Sequence, residues 1–166
     1  MSKKVLKLED KKVLKVKITN FMIENFQREQ SFMKLRRAIG LGAADKYKIF
    51  KLAEILMNGP EARALNAAKD ELVKTTEEKK RLEVIEAKGR FIEGKEKEVD
   101  KAIKEIEQKS QLTYTHPKVR ELMELESGIE LEKLILQASK LPADFTPEDM
   151  MITSWLIEYK DDTKGQ

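Results

Sequence analysis

After Pro60 the chain reaches Ser110 without a further proline or any cysteine, and its apolar residues return at alternating steps of three and four. Leu65, Ala68, Leu72, Thr75, Lys79 and Leu82 form one series. Leu82, Ile85, Gly89, Ile92, Glu96, Val99, Ile103 and Ile106 form the next, and the step rule slips by one residue where the two join near Leu82. This is the spacing of helices that pair along a seam. Several seam positions are polar or glycine, which suits a hairpin or a weak dimer. Gly89 and Gly94 stand close together within the stretch, and a glycine costs roughly 1 kcal/mol inside a helix. A turn there predicts antiparallel helices of about 28 and 17 residues, each covering the other's seam. The competing reading is one uninterrupted helix that pairs with a second chain.

An extended helical arm explains the composition. Charged residues make up 38% of the 166-residue chain and hydrophobic residues 40%. The charged share exceeds the usual quarter or so, because most of the circumference of such a helix faces water. Seven glycines and four prolines are too few for a loop-rich or disordered chain. The absence of cysteine excludes disulfides, thiolate chemistry and most structural zinc sites. A single histidine, His116, cannot alone supply a histidine metal site or a histidine-based triad. No apolar run approaches the ~18 residues of a membrane span, and Met1 to Lys7 lacks the apolar core of a signal peptide. A cytoplasmic location is the expectation.

Charge is unevenly placed. Residues 1–51 carry 14 Lys/Arg against 5 Asp/Glu, a net of +9, whereas residues 117–166 carry 6 against 11, a net of −5. Either the basic part packs beside the acidic part, or the basic face meets an acidic partner or nucleic acid. The aromatics near these cations, Phe21, Phe26, Phe32 and Phe50, fall at core-like helical spacing, which favours the first reading.

Val5 to Leu8 reads as a short strand. Val13 to Ile18 fits a strand or a helix start, with helix established by Thr19. Ile18, Phe21, Met22, Phe26, Phe32 and Met33 form one face of a helix that ends before Gly40-Leu41-Gly42. A second helix is expected from Ala44 to Met57, with Tyr47, Phe50, Ala53 and Leu56 inward. Asn58-Gly59-Pro60 then stops it and starts the next. A short helix over 117–126 precedes Ser127-Gly128, and Ile129 to Leu136 reads as a strand. Thr146-Pro147-Glu148-Asp149 is a strong helix start, placing Met151, Trp155 and Tyr159 on one helical face.

Nothing marks an active site. Gly40 and Gly42 lack the rest of a phosphate loop, and no metal-binding motif appears. Carboxylates lie three or four residues from cations, as in Glu77/Arg81, Glu78/Arg81 and Glu93/Lys97, the pattern of a solvated helix face. No catalytic, cofactor-binding or metal-binding residues are expected, and the protein is read as not an enzyme. Candidate partner-binding residues are Lys34, Arg36 and Arg37, whose alternative role is to complement a helix end. Phe91 and Ile92 join them, since at the hairpin tip they either close the seam or present an apolar patch to a partner.

Three stretches carry a resemblance: Ala44 to Leu52, the turn Lys88-Gly89-Arg90-Phe91-Ile92, and above all Leu141 to Met151. With terminal strands and a charged helical hairpin, the layout resembles small uncharacterised proteins encoded by tailed bacteriophages. The resemblance implies a phage context, in host cytoplasm or virion, and no activity. Strands with a coiled coil are also similar to prefoldin-type chaperones, but those place strands between the two long helices.

The expected architecture is α+β and helix-dominated. A head of residues 1–57 and 112–160 contains a short β-sheet from the chain ends; residues 60–110 form an antiparallel coiled-coil hairpin arm; residues 161–166 are a polar tail. The expected role is a non-enzymatic protein–protein interaction or assembly protein, docking a host or virion protein through helical surfaces, with homo-oligomers open. The alternatives are a nucleic-acid-binding protein using the basic N-terminal third, a prefoldin-like chaperone, or an inhibitor of a host defence protein.

Overall fold

Lys15–Thr19 (β1) pairs antiparallel with Glu126–Glu132 (β2), Val16 opposite Leu131 and Lys17 opposite Glu130. A computed structural model describes residues 14–38, 40–90 and 94–161. The expected strand at residues 5–8 therefore lies outside the described residues. Across the ladder Lys15 reaches Glu130 and Lys17 reaches Glu126, at 3.9 and 3.7 Å. Part of the basic N-terminal charge thus faces C-terminal acid; such exposed pairs each contribute well under ~1 kcal/mol.

Thr19 ends β1 and caps α1 (Asn20–Arg28), its Oγ1 accepting from Met22 N at 3.3 Å. The helix expected to run on to Arg36 is broken. Glu29 takes an extended conformation, and α2 (Gln30–Arg37) starts afresh. The break has a packing reason. In a straight helix Phe26 and Phe32 would lie on different faces, six residues being about 240° apart. With the bend both rings are buried, their centroids 4.8 Å apart, and Trp155 meets Phe32 edge-on at 5.3 Å.

α3 (Ala43–Asn58) and α4 (Pro60–Gly89) meet at Gly59, with Pro60 in the first helical turn. A Cβ on Gly59 would come within 2.3 Å of the Ile55 carbonyl oxygen, so the bend requires glycine. On α3, Leu56 is buried and Ala53 partly buried as expected, but Ile49 takes the inward place given to Tyr47 and Phe50. Those two aromatics face water.

The arm is a helical hairpin. α4 ends at Gly89, Gly94 adopts φ +90°, and α5 (Glu96–Lys109) runs back along α4. On α5 the half-buried positions include Val99, Ile103 and Ile106, as the periodicity predicts. On α4 the seam is displaced. Leu65 is buried and Ala68 and Leu72 are half-buried as the periodicity predicts, but beyond them Thr76, Lys80, Glu83, Val84 and Ala87 are the half-buried positions, while Thr75, Lys79, Leu82, Ile85 and Gly89 face outward. The change of face comes after Leu72, ahead of the slip near Leu82, so the slip in the repeat does not account for it.

α6 (Pro117–Glu124) leads into β2. The single strand expected over 129–136 is two. Lys133 marks the change: its N–H bonds the Leu14 carbonyl, while the Leu134 N–H bonds the Leu156 carbonyl. Leu134–Gln137 (β3) then pairs in parallel with Ile157–Lys160 (β4). The last helix, α7 (Pro147–Thr153), is shorter than expected. Trp155 and Tyr159 do not continue its face, because Ile157 and Tyr159 have entered the sheet. Met151 is exposed. The core gathers Ile18, Ile23, Leu35, Leu56, Leu136, Leu156 and Ile157 around the two phenylalanines, with Ala62 and Leu65 the buried residues of α4. No residue of α5 is buried.

Candidate partner-binding groove

Three elements converge beside the root of the arm. One face of α1 presents Phe21, Glu24 and Arg28, one helical turn apart in succession. α4 contributes Lys69, Leu72 and Val73. The stretch from Leu112 to Thr115 and helix α6 close the third side with Tyr114, Val119, Leu122 and Met123. Between them lie two depressions of about 190 and 690 Å³ that share Tyr114 and Met123. They form one groove with a mainly apolar wall. Phe21 is 51% exposed and Tyr114 55%, so two aromatic rings stand open at its rim.

At its base is a buried carboxylate. Glu24 is 3% exposed and holds Lys69 Nζ at 2.5 Å and Arg28 Nε at 2.9 Å. Tyr114 Oη donates to it at 3.3 Å. Burial, followed by the Glu24 charge, pushes the Tyr114 hydroxyl above its ordinary pKa. Two cations around one carboxylate leave the inner groove with an excess positive charge. Further out, Arg120 is matched by Glu124 at 2.9 Å. The groove can therefore accept an apolar helical face that carries an acidic residue.

A second buried carboxylate is structural. Asp149 accepts from Ser31 Oγ at 2.6 Å, Lys34 Nζ at 2.8 Å, and Thr146 N and Oγ1 at 2.8 and 3.0 Å. Thr146 and Asp149 form a reciprocal capping box at the start of α7. Burial works against the charged form, but the bonds from Lys34, Ser31 and Thr146 outweigh it and hold the carboxyl far below the usual range. The network continues through Thr153, which donates to the Asp149 carbonyl at 2.8 Å and contacts Tyr159 Oη at 2.5 Å. Burial pushes the Tyr159 hydroxyl up to about 12.

Lys34, one of the candidate partner-binding residues, thus closes an internal ion pair and also donates to the Asp144 carbonyl. Arg36 is half-buried, 5.4 Å over the Phe26 ring, and bonded to Met57 Sδ. Arg37 is exposed beside it. The three do not form one cluster. Phe91 and Ile92 lie outside the described residues. The groove itself escaped sequence reading because its parts lie far apart in the chain. Its one local signal is Glu24, an acid between Ile23 and Phe26 on a helix whose neighbouring positions are core.

Among the described residues no helix is long and apolar enough to cross a membrane, and no group of His, Asp and Glu is arranged to hold a metal ion. No family model matches the chain, and no curated protein and no solved structure matches it significantly.

Proposed function

We propose that the protein is a non-enzymatic interaction protein whose groove takes up an amphipathic helix of a partner protein. The observation that carries this reading is the open apolar channel past Tyr114 and Met123, with Phe21 and Tyr114 exposed at its rim. Rings placed so present large contact area at small entropic cost, as interface hot spots do. The excess cation around Glu24 selects a helix with an acid on its docking face. A non-enzymatic role is supported by the condition of the two buried carboxylates, each already occupied by a lysine at hydrogen-bond distance. The resemblance to tailed-phage proteins supports a host or virion protein as the partner and the host cytoplasm as the place of encounter.

The test is affinity measured by calorimetry against the captured partner. Phe21→Ser and Tyr114→Ala should each weaken binding by about 2 kcal/mol, roughly thirtyfold in Kd. Leu82→Ser, on the outer face of the arm, should leave it unchanged. Unaltered binding by both groove variants, or a loss confined to Leu82→Ser, would remove the groove as the docking site.

A further inference from the structure

Away from the groove, the end of α2 and the first turns of α3 enclose a notch of about 330 Å³. Its charged lining is Arg36, Arg37 and Lys46, with no acidic residue, and Phe50 forms a wall. Arg36 is half-buried, yet among the described residues no carboxylate lies within ion-pair distance of it. Burial, then the neighbouring Arg37, disfavours its charged form. A desolvated guanidinium beside a second one favours an arriving anion. The aromatics add a second signal. Phe50 is 55% exposed and Tyr47 61%, one turn apart on the same side of α3. Lys51 stands 5.6 Å over the Tyr47 ring and pairs with Glu54.

We infer that this notch binds single-stranded nucleic acid, a phosphate seated among Arg36, Arg37 and Lys46 and successive bases stacked on Phe50 and Tyr47. Cations explain attraction to any anion. Exposed aromatic rings beside them are what unstacked bases use and what an acidic peptide does not need. A duplex keeps the faces of its bases stacked on one another and offers none to an aromatic ring. The site is independent of the groove, on different elements.

Fluorescence anisotropy with a labelled single-stranded oligonucleotide of about twelve nucleotides at low salt tests this. The full chain should bind, and affinity should fall steeply as salt rises. Phe50→Ala and Tyr47→Ala, both at exposed positions, should each weaken binding about tenfold. Arg37→Ala with Lys46→Ala should weaken it and flatten the salt dependence by about 0.7 per lost phosphate contact. Phe21→Ser should change nothing. Three results overturn the inference: no binding at low salt, duplex of equal length binding as well with the aromatic variants unaffected, or equal competition by oligoglutamate.

Discussion

Asp149 ties the start of α7 to α2 through one carboxylate, since Ser31 and Lys34 come from α2 and Thr146 from the turn before α7. Its folded pKa is depressed, so the folded state favours the ionised form. The stability this contributes is present above the ordinary carboxylate pKa near 3.8 and is lost as pH falls below it towards the folded value. Urea midpoints measured from pH 7 down to pH 3 should therefore drop most steeply below pH 4. Asp149→Asn should cost about 2 kcal/mol at pH 7, and its deficit should shrink as pH falls. A deficit that stays constant with pH would mean that the charge is not what Ser31 and Lys34 hold. Gly59 makes a second residue-scale prediction. Its replacement by Ala forces a Cβ against the Ile55 carbonyl, and should lower stability by roughly 2 kcal/mol although the position lies between two helices.

At the scale of elements, the arm depends on its turn. The helical hairpin was legible because two glycines interrupt a long stretch with no other breaker, and Gly94 indeed takes a backbone angle that other residues rarely adopt. Gly94→Val should strain it. The hairpin itself is tested by spin labels at Glu78 and Glu105, both exposed in a chain without native cysteine. Paired helices put the labels within about 20 Å, whereas an unbroken helix would separate them by about 40 Å. The starts of α4, α6 and α7 were equally legible, each marked by a proline in its first turn. What was not legible depended on partners distant in sequence. Ile157 to Lys160 continues a helical apolar pattern and became a strand because Leu134 to Gln137 lay alongside to pair with it. Tyr47 and Phe50 fit an inward face by spacing alone. Ile49 was buried in their place, and periodicity cannot say which of two adjacent stripes meets the core.

For the whole molecule, sequence reading reached the class and missed the groove. The helix-dominated α+β plan followed from charge, spacing and breakers, which act locally. The groove needed Phe21, Lys69 and Tyr114 to be brought together across the chain, and none of them stands out alone. The outer face of the arm is the natural rival for docking, since Leu82 and Ile85 are 56% and 58% exposed there. The two surfaces are separable. A photoreactive amino acid placed at Val73, exposed on the groove wall, should crosslink to the partner's helix, and the same group at Leu82 should not. Efficient crosslinking from Leu82 with none from Val73 would contradict the groove as the place where this protein meets its partner.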